Sequence, residues 1–258
     1  MTTLLDQAIS AELPVPGVRG FITTRAGGCS TGAWGALDGH GGLNLGFGTG
    51  DAADAVVANR RRLGALLPQD PRWLRQVHGA TVVEAESVDV PAEADASTSI
   101  TAATVCAVMI ADCMPVLIAS RDGRAVGAAH AGWRGLAGGV IQNTVRALRE
   151  RLGDRHAEVV AYLGPAIGPD HFEVGAEVLQ AMQVQLPDAR TAFADIGNGK
   201  YLANLFQLGR MALAQVGVQE VRGGNDCTYS DARRFYSFRR DRVTGRHAAV
   251  IWLDSEWR

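Results

Sequence analysis

The chain has 258 residues, the size of one large domain or at most two small ones. With 47% hydrophobic and 20% charged residues it can bury a sizeable core, which excludes wholesale disorder, and a net charge of −2 gives no global pull towards nucleic acid or an acidic membrane. Six histidines with no His-x-His pair exclude the multinuclear copper set of a multicopper oxidase, and four cysteines with no Cys-x-x-Cys pair exclude a zinc ribbon or thioredoxin-type site.

The first residues, MTTLLDQAISAELPVP, lack a basic n-region and a long apolar segment. Residues 1–17 therefore read as an N-terminal extension rather than a signal peptide. No apolar run reaches the ~18–20 residues that span a bilayer. Free thiols fit a reducing cytoplasm. Val18–Arg25 reads as a first strand, and the glycine-rich stretch 27–50 after it reads as loop; its spacing matches neither GxGxxG nor GxxxxGK[ST]. Asp51 is placed to cap a helix over 52–67 with Val56, Leu63 and Leu67 on one face, ended by Pro68 and Pro71. Residues 72–77 and 80–84 look like strands on either side of His78-Gly79. A loop rich in Pro, Glu, Ala and Ser follows, then three apolar, strand-like segments over 104–111, 114–120 and 125–129. Helices are expected over 137–152, 175–182 and 201–216, and strands over 158–163 and 246–253. Strands and helices intermix without a strict βα period, which predicts a single α/β (α+β) domain with mixed sheets flanked by helices.

Arg121-Asp122-Gly123-Arg124 is a strong hairpin signal, because Asp-Gly suits a turn with positive φ. With Asp122 and Gly123 as the turn, Pro115 faces His130, and Cys113 lies two residues from that partner at the far end of the hairpin. A thiol and an imidazole thus arrive together without any appeal to fold. Alternation along the strand points the neighbouring Asp112 the other way. His78, at a strand end before a glycine, is placed to reach into a cleft. Trp133 is placed to wall a pocket or stack on a base, with Arg134 beside it. The helix beginning near Leu136 offers free amides to an anion. Arg60 falls on the apolar face of its helix, where it either lays its stem along apolar surface or pairs with a buried carboxylate or bound anion. Arg25 and Asn44 border the glycine-rich loop, where backbone can approach a ligand closely.

Other residues invite blander readings. Cys106 reads as a core thiol, and Cys29 and Cys227 have no obvious partner. His40, His156 and His171 read as solvated or capping residues, and His247 as an edge residue. Lys200, the only lysine, sits in a Gly-Asn-Gly-Lys turn, a poor place for Schiff-base chemistry. Residues 233–246 interleave arginines with Phe235, Tyr236 and Phe238, which superficially suggests RNA binding; with no recognised RNA module, surface ion pairing is the preferred reading.

RQVHG (75–79), ADCMPV (111–116) and HAGWRG (130–135) resemble the signature segments of the YfiH, or polyphenol-oxidase-like "laccase-domain", family. GPAIGP (164–169), Glu173-Val174-Gly175, Leu43-Asn44-Leu45-Gly46, Asn59-Arg60 and the C-terminal segment 227–253 match as well, so the resemblance covers residues 19–253. It implies the cytotoxic-necrotising-factor-like cysteine-hydrolase fold. It also implies a zinc ion held by His78, Cys113 and His130, a His₂Cys set with one open position; copper is the less favoured metal. The implied activity is phosphorolysis of adenosine, inosine and 5′-methylthioadenosine to the base and a ribose 1-phosphate, with adenosine deamination as a side activity. The implied partners are a purine nucleoside and inorganic phosphate, with no nucleic acid or membrane and a monomeric chain. Arg25, Asn44, Arg60, Asp112, Trp133 and Arg134 are the substrate-binding candidates. Two other readings stay open: a Cys–His hydrolase acting on an amide or peptidoglycan precursor, with Cys113 as nucleophile and His130 as base, and a copper polyphenol oxidase.

Overall fold

The computed structural model describes residues 4–255. Its centre is a six-stranded mixed sheet with the spatial order Glu220–Gly223, Val159–Leu163, Met114–Ser120, Val126–Ala131, Ala96–Ser99, Val82–Glu84. The two outer pairs are parallel and the inner ones antiparallel. Met114–Ser120 is buried along its whole length, as its unbroken apolar run requires of a strand covered on both faces. Met114, Val116 and Ile118 face a helical layer of Val140–Leu152, Ala176–Gln185 and Leu205–Gln215. Leu117 and Ala119 face a second sheet.

That second sheet is antiparallel: Ile9–Ser10, Val18–Ile22, His247–Leu253, Cys106–Ile110. Its alternation is as clean: Ala249 and Ile251 point at the central sheet, while Ala248, Val250 and Trp252 point outward under Leu43, Leu45 and Leu63. The helix Ala53–Gly64 and the Leu43–Leu45 segment thus form an outermost layer. A small sheet of Glu173–Gly175, Lys200–Ala203 and Phe193–Gly197 lies beside the helices. Among the described residues, no helix is long and apolar enough to cross a membrane.

Several sequence expectations are corrected. The glycine-rich stretch contains a strand, Ala26–Ser30, bridged to Gly42. Gly42 has no room for a side chain, since an added Cβ would lie 1.8 Å from the Trp34 carbonyl oxygen. Asp51 does not cap the following helix; its carboxylate accepts from Ser30, Asn44 and the Ala52 amide instead. The expected helix over 137–152 is two, Trp133–Ala137 and Val140–Leu152, separated at Gly139 with φ 82°. No long helix therefore begins near Leu136. The expected helix over 201–216 gives its first turn to the Lys200–Ala203 strand, and Asn204 caps the remainder by accepting from Gln207 N–H. His247 is not at an edge, since its strand lies between two others. Of the expected N-terminal extension, Ile9 and Ser10 pair with Ile22 and Phe21; residues 1–3 lie outside the described residues.

Candidate functional site

The Met114–Ser120 and Val126–Ala131 strands pair with Pro115 opposite His130, the register the Asp-Gly turn dictates, and Gly123 supplies the positive φ at 71°. Cys113 lies just before the first strand and His130 near the end of the second. His78 joins them from a turn, with φ at 61°. The ligand-capable atoms of His78, Cys113 and His130 all lie within 4.8 Å of one another, and the two imidazoles meet edge-on with centroids 4.8 Å apart. Gly132 makes the convergence possible: a Cβ there would lie 2.9 Å from Cys113 Sγ and 3.2 Å from His78 Cδ2.

A residue that the sequence reading passed over organises the group. Asp95, fully buried, accepts at Oδ1 from His130 Nδ1 (2.8 Å) and from the His78 amide (2.9 Å). Its Oδ2 accepts from the amides of Gly79 (2.7 Å) and Val77 (3.1 Å). One carboxylate therefore holds the unusual backbone at His78 and orients His130, leaving Nε2 to face Cys113. Burial opposes the Asp95 charge, yet the bonds from His130 and the two amides outweigh it and keep the carboxyl below its ordinary range. Burial likewise opposes a Cys113 thiolate, but the His130 charge and hydrogen bonds from both histidines prevail and lower the thiol to about 6. His130 is raised against its own burial by the Cys113 charge and the Asp95 bond. Without a metal, both shifts run in the direction that favours a thiolate beside an imidazolium. Two imidazoles and a thiolate, one imidazole braced by a carboxylate, are the donor chemistry of a zinc or copper centre.

This cluster lines a cavity of about 700 Å³, within the range of small-molecule sites, whose wall also includes Phe47, Trp133, Phe172 and Phe238. Residues 19–254 match the sequence family described as "Multi-copper polyphenol oxidoreductase laccase". The chain belongs to that family. The chain is 46% identical over 253 residues to the Escherichia coli "Purine nucleoside phosphorylase YfiH", covering 96% of this chain and 100% of that protein. It is also 46% identical over 247 residues to a purine nucleoside phosphorylase of Pseudomonas aeruginosa, covering 95% and 98%. The crystal structure of a Neisseria meningitidis protein superposes with a TM-score of 0.88 at 46% identity, over 96% of this chain and all of that one. The family's laccase name does not extend to a four-copper centre here, for the six histidines include no His-x-His pair.

The other residues singled out from sequence divide. Asp112, Trp133 and Arg134 line the cavity. Asp112 has φ 89° and both carboxylate oxygens engaged, by Thr228 Oγ1 and the Arg239 amide. Arg134 stacks on Trp133, 4.4 Å from the ring centroid. Arg25, Asn44 and Arg60 are not brought to the lining. Arg25 is buried and donates to the carbonyls of Gly35, Ala33 and Ala232, pinning the glycine-rich loop. Asn44 is fully buried, accepting from the Gly46 and Arg246 amides and donating to Asp51 and Thr49. Arg60 pairs with no carboxylate among the described residues: it is sandwiched between Phe47 and Trp73, 4.5 and 4.2 Å from their centroids, donates to the Leu45 carbonyl, and is lowered to about 10 by burial. It thereby braces Phe47, which does line the cavity. The arginine-rich segment, discounted for RNA binding, contributes Phe238, Arg239 and Arg246 to the wall.

Proposed function

We propose that the protein is a zinc-dependent purine nucleoside phosphorylase that converts adenosine, inosine or 5′-methylthioadenosine to the free base and ribose 1-phosphate. The observation that carries this reading is the seating of the His78–Cys113–His130 group in an aromatic-walled cavity of nucleoside size, in a chain nearly half identical to proteins named for that activity. His78, Cys113 and His130 would hold the metal. Bound there, it would supply Lewis-acid chemistry to the cavity. Phe47 and Trp133 supply flat apolar faces for a base. A phosphate oxygen bonds to C1′ as the bond from C1′ to the base nitrogen breaks; the electron pair leaves with the base, which gains the proton that phosphate loses. Adenosine deamination is assigned to the same site as a side activity, and four free thiols fit a reducing cytoplasm.

Zinc-loaded protein incubated with adenosine, with and without phosphate, tests the reading. Phosphate-dependent adenine and ribose 1-phosphate are expected; no turnover of any purine nucleoside rejects it. One observation favours a second reading. Asp95, His130 and Cys113 form an orienter–base–nucleophile chain with a lowered thiol, the arrangement of a cysteine hydrolase. Amidase activity that survives chelation and is lost on alkylation of Cys113 would select it.

A further inference from the structure

Four arginines line the cavity: Arg75, Arg134, Arg239 and Arg246. Arg75 is neutralised by Glu93 at 2.6 Å. The other three form no ion pair among the described residues, so the wall carries surplus positive charge. Asp112 offsets it only in part, as one carboxylate against three guanidinium groups; its oxygens accept from Thr228 and from the Arg239 backbone.

Arg246 differs from the arginines that serve the fold. Arg25 spends its guanidinium on three backbone carbonyls, and Arg240 on three carbonyls and Asp241. Arg246 uses Nη1 alone, on the carbonyls of Thr244 and Gly245, which leaves Nε and Nη2 without a partner among the described residues. Its backbone, by contrast, is fixed at both ends. The amide donates to Asn44 Oδ1 at 2.9 Å and the carbonyl accepts from Leu45 at 3.1 Å. Its stem lies against Gly46, where an added Cβ would come within 2.7 Å of Arg246 Cγ. The buried Asn44 knot thus orders the segment from which a half-buried guanidinium reaches the cavity. Burial lowers Arg246, while Cys113 and Asp112 act to raise it, so it lies within electrostatic reach of the thiol. An unneutralised fork in that setting matches a tetrahedral oxyanion, which takes two parallel N–H donors.

We propose that Arg246, assisted by Arg239, is the seat of inorganic phosphate, which it binds through Nε and Nη2 beside the His78–Cys113–His130 group. The proposal rests on the phosphorylase reading for its substrate, but the anion site is testable without it. Asn44 and Gly46 then act as positioning residues, the first by holding the Arg246 backbone and the second by leaving space for its stem.

The test measures initial rates against phosphate and against nucleoside for zinc-loaded wild type, Arg246→Met and Arg246→Lys. It is paired with thermal unfolding in inorganic phosphate against chloride at equal ionic strength. Arg246→Met is expected to raise KM for phosphate at least about tenfold, with KM for nucleoside and zinc content unchanged, and to lose the stabilisation that phosphate gives the wild type. Arg246→Lys keeps the stem and one charge but not the fork, so it recovers part of the effect and reports on the site if Arg246→Met does not fold. An unchanged phosphate KM in either folded variant, or a parallel rise in both KM values, overturns the proposal. If the wild type turns over no nucleoside, the phosphorylase reading fails on its own. The anion site then stands if phosphate stabilises the wild type and not Arg246→Met, with Arg246→Lys at most in between, and falls if it stabilises all three equally or none.

Discussion

The two sides of the cavity are built on opposite plans. On the side of the six-stranded sheet, His78, Cys113 and His130 turn their reactive atoms towards one another, and the buried Asp95 binds both the backbone of one and the ring of another. On the side of the four-stranded sheet, the buried polar group is Asn44, whose bonds go to loop backbone and to the side chains of Thr49, on the cavity wall, and Asp51, away from it. The first side couples charges tightly enough to move their proton affinities; the second orders a loop and leaves a guanidinium partly free. A site can therefore concentrate its chemistry on one sheet and its ligand selection on the other, each with one buried polar residue as keystone.

That division makes different demands on mutants. Cys113→Ser should abolish both metal retention and turnover, as read by metal analysis and product assay. If activity survives without the thiol, the chemistry does not belong to the six-stranded side. In the metal-free protein, alkylation of Cys113 should rise with a midpoint near pH 6 and slow as pH falls below it and the thiolate protonates. Cys106, which burial raises to about 12, should stay unmodified across neutral pH. His130→Ala removes the imidazolium, so the Cys113 midpoint should move up towards the ordinary thiol value of about 8.5; mass spectrometry of the two peptides separates the sites. Asp95→Asn should weaken metal binding by about 10–100-fold, measured by competition with a chelator, because the His130 ring and the 77–79 backbone lose their common acceptor. Asn44→Ala should act on the other axis. It strands the Gly46 and Arg246 amides and costs about 2–3 kcal/mol by denaturant unfolding, yet zinc affinity per folded molecule should hold. Loss of metal affinity in Asn44→Ala would show that the two sides are one cooperative unit.

The six-stranded side was the more accessible from sequence. An Asp-Gly turn between two apolar runs sets a register by local rules alone, and the register brings Cys113 and His130 together. Asp95 was missed because it precedes Ala96–Ser99, a buried strand made of small and polar residues, which lacks the apolar signature used to find strands. A lone carboxylate between alanines was its only local mark. Arg246 was hidden for a related reason: it ends an arginine-rich run whose members go to different places, Arg240 into the fold and Arg239 and Arg246 to the cavity. Arg25, Asn44 and Arg60, expected as substrate-binding residues, do not line the cavity, because burial and hydrogen bonding to residues far away in the chain decide their use. The Tyr201–Val216 pattern misled because Tyr201 and Leu202 suit a helix or a strand equally, and pairing with Glu173–Gly175 decided for the strand.

The hairpin turn at Asp122-Gly123 carries a last consequence. None of its residues is on the cavity lining, yet it works as a gauge block, fixing how far each arm extends before Cys113 and His130 are reached. Because side chains alternate between faces, deleting one residue within 121–124 and slipping one arm by a single step would turn His130 away from Cys113 and Asp95 while leaving every atom of the three intact. The tolerance of the chemistry is thus machined at the opposite end of the sheet, where a loop would ordinarily be the safest place to lengthen or shorten the chain.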